Sequence, residues 1–170
     1  MFWLYTCTNN MFFFVVFSAH CHCQQGWREY NNKCYFFSTD TKSWMEANAY
    51  CMGLNTNLMS IQDIHERVRS CVNDFLIQLS PTGISLWMGG HDSVTEGGWE
   101  WSDGSPFRYI RWSTGNPDDY YGEDCLSILI NNGYWNDDNC ESKRGYICKR
   151  KGKICCFNFC CSHLQTEDII

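Results

Sequence analysis

The sequence predicts an α+β fold, because two amphipathic helical stretches behind a leading hairpin are followed by short strands between long turn-rich loops, and 13 cysteines mark a disulfide-bonded frame. In the first stretch Trp44, Ala47, Cys51 and Leu54 recur at helical spacing behind Ser43 and Glu46 in capping-box register, and Gly53 ends it. In the second, Ser60 is the N-cap with Asp63 three residues on, and Ile61, Ile64, Val68, Val72, Phe75 and Leu79 form one apolar stripe running to about Pro81. Ahead of both helices, residues 23–27 and 34–37 read as two short strands joined by the polar turn Glu29 to Lys33. Beyond Pro81 the runs Leu86-Trp87-Met88, Trp99-Glu100-Trp101, Leu126 to Ile130 and Tyr146-Ile147-Cys148 are strands with long loops between them. The leading hairpin is expected to return and close the domain.

A chain of 170 residues suits one domain with short appendages. With 44% hydrophobic and 16% aromatic residues it is a packed globular chain, and its tryptophans in helices and strands belong to the core. The net charge of −6 argues against a nucleic-acid partner, which needs clustered Lys and Arg. Cysteine at this density points to an oxidising compartment. The apolar run Met11 to Ala19 ends in small residues, as a signal-peptide core does, and is shorter than the about 20 residues of a membrane span. The expected organisation is a signal peptide over 1–19, one domain over 23–150 and a Cys-rich, disordered tail over 151–170. The protein is expected to be secreted and extracellular.

The chemistry concentrates between His91 and Glu141. Asp92, Glu96, Glu100, Asp103, Asp118, Asp119, Glu123, Asp124, Asp137, Asp138 and Glu141 stand there against Arg108 and Arg111. Like charges at this density repel unless solvent separates them or a cation neutralises them. The segment is rich in oxygen donors and lacks His or Cys pairs at ligand spacing, which selects a hard ion, Ca²⁺ before Zn²⁺ or Mg²⁺.

Cys23 with Gly26-Trp27, Cys34-Tyr35, the helix bearing Cys51, Leu86-Trp87-Met88-Gly89-Gly90, Trp112 to Asp118, Gly122-Glu123-Asp124-Cys125, Trp135-Asn136-Asp137, Cys140 and Tyr146-Ile147-Cys148 resemble the C-type lectin-like domain, in order and at its spacing. The resemblance covers about residues 23 to 150. It implies the long form of that fold, with two helices, short antiparallel sheets, a long Ca²⁺-binding loop region and the disulfides Cys23–Cys34, Cys51–Cys148 and Cys125–Cys140. Carried over position by position, it places a sugar-binding Ca²⁺ site on Asn116, Asp118, Glu123, Asn136 and Asp137. A second Ca²⁺ site falls on Asp92, Glu96, Asp119, Glu123 and Asp124. Pro117 matches a proline that the family keeps in cis.

The resemblance thus implies a Ca²⁺-dependent lectin whose partners are terminal sugars on glycoproteins or cell surfaces. Asn116-Pro117-Asp118 is neither the mannose-type Glu-Pro-Asn nor the galactose-type Gln-Pro-Asp. Its order, amide then carboxylate, is similar to the galactose arrangement, and Tyr120 sits where galactose binders offer a ring for stacking. Mannose-type specificity and a protein- or ice-binding role on the same fold are the alternatives. No Gly-x-Ser-x-Gly, phosphate-binding loop or complete zinc-protease motif is present, so no enzyme is expected. The cysteines outside the three pairs, among them Cys21, Cys71 and Cys155 to Cys161, leave a disulfide-linked homo-oligomer open. Carboxylate ligands must be ionised, so Ca²⁺ release is expected in acid, near their reference values of about 4.

Overall fold

The computed structural model describes residues 20–62, 85–156 and 159–160. Strand β1 (His20–His22) leads into the hairpin of β2 (Arg28–Tyr30) and β3 (Lys33–Phe37). Asn31 and Asn32, at φ 49° and 59°, form its two-residue turn, the left-handed pair that a tight hairpin favours. The first strand of this hairpin therefore lies later than the expected 23–27. Gly26, at φ 84°, turns the chain there, with the Trp27 amide donating to Gln24 O.

Helix α1 (Trp44–Gly53) starts where the capping box placed it. The Ser43 amide donates to Glu46 Oε2 at 2.9 Å and the Glu46 amide to Ser43 Oγ at 3.4 Å. Its buried face is Trp44, Ala47 and Cys51. Then come β4 (Asn57–Leu58), β5 (Ser85–His91), β6 (Glu100–Trp101), β7 (Cys125–Leu129), β8 (Trp135–Asp138) and β9 (Gly145–Lys151). The second helix expected up to Pro81, from residue 63 on, and the leader over 1–19 lie outside the described residues.

The main sheet has the order β2-β3-β9-β5-β7-β8, with β4 on β9 and β6 on β5. It is mixed, since β5 and β9 pair in parallel while its other ladders are antiparallel. The leading hairpin closes the domain as expected, through β3 against β9. Gly89 and Gly90 make the centre of this sheet tight. A Cβ on Gly89 would lie 2.8 Å from Ser102 Oγ, and one on Gly90 2.7 Å from Leu126 Cδ1.

Two apolar clusters fill the interior. One joins Tyr35, Met59, Met88, Trp101, Leu126, Trp135 and Ile147, and the other joins Trp44, Leu58, Trp87, Tyr146 and the buried cysteines. Trp87 and Trp135 are fully buried, and side chains of this class each remove about 150–250 Å² from water. Trp44, Trp87, Trp101 and Trp135 are core, as the sequence indicated, and Trp27, Trp99 and Trp112 pack half-buried against it. The disulfides are Cys23–Cys34, Cys51–Cys148 and Cys125–Cys140, the three implied pairings.

Of the tail expected over 151–170, residues 157–158 and 161–170 lie outside the described residues, and the described part is paired. Lys151 still belongs to β9, and β10 (Lys153–Cys156) and β11 (Phe159–Cys160) follow. They form a second sheet of order β1-β10-β11. The reason is pairing: β1 offers an open edge, and Lys153-Ile154-Cys155 fills its ladder.

Candidate cation and ligand site

Asp137, in the middle of β8, is fully buried although it is charged. Three donors converge on it. Asn116 Nδ2 donates to Oδ1 at 2.7 Å, and the amides of Asp118 and Asp119 donate to Oδ2 at 2.7 and 2.8 Å. The loop that carries these donors is docked on the same strand, because the amide and hydroxyl of Ser113 both donate to Trp135 O at 2.8 Å. The Asn116–Pro117 bond is cis.

This docking gathers the carboxylates of Asp118, Glu123 and Asp137 so that one oxygen of each lies within 4.8 Å of the others. A second set, Glu96, Asp119 and Asp124, meets the same criterion. Glu123, expected in both sites, joins Asp118 and Asp137. Asp92 stands beside the second set: its amide donates to Asp124 O at 3.1 Å, and its Oδ2 accepts from the Gly97 amide at 3.0 Å. Asn136 lies next to Asp137 and donates through Nδ2 to the Asp137 carbonyl. Asn116 turns its oxygen toward the Ser113 hydroxyl at 3.0 Å, so a rotation of its amide separates this arrangement from one in which that oxygen faces a cation.

The electrostatics are those of a site short of positive charge. Burial, then Asp138, Asp137 and Asp118, push Glu123 up to about 7 from 4.5, against the opposing pull of Arg144. Burial, followed by their acidic neighbours, also raises Glu96 and Asp92. Asp92 Oδ1 is buried and has no hydrogen-bond partner. An orphaned buried carboxylate oxygen is costly, and a cation would satisfy it. With an all-oxygen donor set in two clusters, the residues fit a hard ion of Ca²⁺ type.

Other acidic residues of this segment are fastened elsewhere. Asp138 pairs with Arg144 at 2.6 Å and accepts from Ser127 Oγ at 2.5 Å. Asp103 accepts from Ser60 and Ser105, and Glu100 lies 3.8 Å from His91. Arg144 and Ser127 are the residues that sequence reasoning missed. The only signal was that an aspartate in a strand facing the core needs a partner. Tyr120 and Tyr121 are 64% and 86% exposed, with ring centroids 4.4 Å apart, beside the first set in sequence.

Glu123 sets an expected pH dependence. Its folded pKa, about 7, lies above the reference value of 4.5, so the ion-free folded state binds the extra proton between those limits. The stability this contributes is present at low pH and is lost as pH rises through about 7. Thermal melts in EDTA from about pH 5 to about pH 8 should show Tm falling. A Tm that is flat or rises would contradict the buried acidic set. Ca²⁺ affinity should weaken as pH drops through about 7, above the onset near 4 that reference values imply.

A mixed sheet closed by its leading hairpin, three framework disulfides and a long loop carrying two oxygen-donor sets define a disulfide-framed α+β domain. The Lectin C-type domain family model matches residues 40–150, and the chain belongs to that family. It is 32% identical to lithostathine-1 of Mus musculus over 137 residues, 79% of this chain and 82% of that protein. It is 33% identical to the galactose-specific lectin nattectin of Thalassophryne nattereri, over 80% of this chain and 85% of the other. Among solved structures, a calcium-independent type II antifreeze protein superposes with a TM-score of 0.67 at 25% identity, covering 78% of this chain and 99% of its own.

Proposed function

We propose that this domain is a secreted, Ca²⁺-dependent lectin that takes galactose-type sugars. The observation that carries the reading is the convergence of Asp118, Glu123 and Asp137 beneath the cis Asn116–Pro117 loop. Asn116, Asp118, Glu123, Asn136 and Asp137 would hold one ion, and Asp92, Glu96, Asp119 and Asp124 a second. Bound at the first set, Ca²⁺ would supply open coordination positions for vicinal sugar hydroxyls. The same side chains offer amide donors and carboxylate acceptors to those hydroxyls, and Tyr120 offers an exposed ring to the apolar face of a sugar. The amide-then-carboxylate order and the galactose specificity of nattectin both favour galactose.

Secretion is supported by the three disulfides, which persist in oxidising compartments. A disulfide-linked homo-oligomer through cysteines outside the framework would gain by avidity, because it would bring several sites to one surface. The calcium-independent antifreeze structure favours the other reading, an interaction protein without sugar binding on the same fold. The two acidic sets weigh against it here. Retention on immobilised galactose and mannose, with and without EDTA, decides. Ca²⁺-dependent retention on galactose, eluted by free galactose, is expected. Retention on mannose alone would overturn the specificity. Failure on both resins with Ca²⁺ bound would move the protein to the non-sugar class.

A further inference from the structure

Six cysteines are committed to the framework bridges. Four others, Cys155, Cys156, Cys160 and Cys161, stand close together in the sequence, and β10, which carries the first two, pairs with β1. Strands β10 and β11 run antiparallel in the register Cys155↔Cys160 and Cys156↔Phe159.

From this register we infer a fourth intrachain disulfide, Cys155–Cys160, across the β10–β11 hairpin. Directly opposed residues of an antiparallel pair share a face of the sheet, with Cα atoms about 4.5 or about 5.5 Å apart according to their place in the ladder. Both spacings lie in the window of about 4.4–6.8 Å that a disulfide spans. Cys156 is opposite Phe159 and Cys21 is opposite Ile154. Among the described cysteines outside the framework, only Cys155 and Cys160 therefore face one another in register. His20 holds the register position opposite Cys155 on β1.

The chemistry is that of the framework bridges. Two thiols release two protons and pass two electrons to a disulfide oxidant by thiol–disulfide exchange, forming one S–S bond while the oxidant is reduced to two thiols. The competing chemistry is a thiolate–imidazole metal site. An environment that oxidises three other pairs in the same chain favours the disulfide. The bridge would fasten the C-terminal extension as a closed hairpin and withhold both cysteines from interchain bonding.

The test is peptide mapping of the full chain, secreted from eukaryotic cells and alkylated under denaturing, non-reducing conditions. Chymotryptic cleavage after Phe157 and Phe159 separates the two halves of the hairpin. The peptides carrying Cys155 and Cys160 should travel as one species that splits on reduction, with fragmentation assigning the bond to those two sulfurs. The linked species should persist in C156S/C161S and vanish in C155S. Alkylation of both cysteines before reduction overturns the proposal. So does a link to Cys156, Cys161 or a second copy of the chain, or protection that a chelator removes. Because the map is read on unfolded wild-type protein, it does not depend on sugar binding or on any variant folding.

Discussion

Asp137→Asn is expected to abolish Ca²⁺-dependent sugar retention and to weaken Ca²⁺ binding by more than about 100-fold, since loss of even an outer partner of a metal ligand costs ~10–100-fold. Two effects add. The substitution removes one of three gathered carboxylates, the one that is fully buried. It also breaks the docking of the loop: Oδ1 and Oδ2 of Asp137 both accept, from Asn116 and from the amides of Asp118 and Asp119. An asparagine must present its NH₂ to one of these donors, which leaves a buried donor unpaired at about 1–3 kcal/mol. Isothermal titration with Ca²⁺ and galactose-resin retention measure the two consequences, and near-ultraviolet circular dichroism of the buried tryptophans reports whether the core is intact. Glu141→Gln, an exposed residue outside both sets, is the control that should leave binding unchanged. A folded Asp137→Asn protein that binds Ca²⁺ as the native domain does would sink the assignment.

The parts of this site that could be read from the sequence were those written in residue type and order. Asp118, Glu123 and Asp137 lie together, as do Glu96, Asp119 and Asp124, and Asn116 bonds to Asp137; these residues came from the resemblance, carried over by type and order. The Ser43–Glu46 box also starts α1 where the pattern put it, because capping is local. What could not be read is decided by tertiary partners. Strand β8 is hidden in sequence, because Trp135-Asn136-Asp137-Asp138 lacks the apolar alternation of a strand; its polar members are held by the 116–119 loop, Ser127 and Arg144. The acidic surplus likewise overstated the site. Asp103 and Asp138 serve hydrogen-bond networks that fasten loop and strand to the core. The extension past Lys151 looked like a free tail because a strand added to an open edge leaves no periodic signal of its own.

Shared elements hold the two acidic sets. Asp119 donates its amide to Asp137 in the first set, accepts from the Glu123 amide at 2.9 Å, and contributes its carboxylate to the second. The Asp92 amide is bonded to Asp124, next to Cys125 at the start of β7. Filling one set should therefore order the other, which follows from geometry in which one turn, 118–124, supplies both.

The largest effect on stability is expected from the Cys51–Cys148 bridge. It joins α1 to β9, the strand between β3 and β5, and both sulfurs are fully buried in the second apolar cluster. Its partners are 97 residues apart, against 11 for Cys23–Cys34 and 15 for Cys125–Cys140. If a disulfide acts by restricting the unfolded chain, a loop of this length is worth about 4.7 kcal/mol and one of 15 residues about 3. Replacing Cys51 and Cys148 together by alanine should lower the free energy of unfolding by about 4–5 kcal/mol, a large share of the about 5–15 that a domain has. The Cys125/Cys140 double variant should lose less stability but more Ca²⁺ affinity, because that bridge ties the turn bearing Glu123 and Asp124 to the end of β8. Denaturant unfolding under non-reducing conditions, set beside Ca²⁺ titration of the same variants, measures both. A Cys51/Cys148 variant within about 1 kcal/mol of the native domain would show that the apolar cluster alone joins helix to sheet.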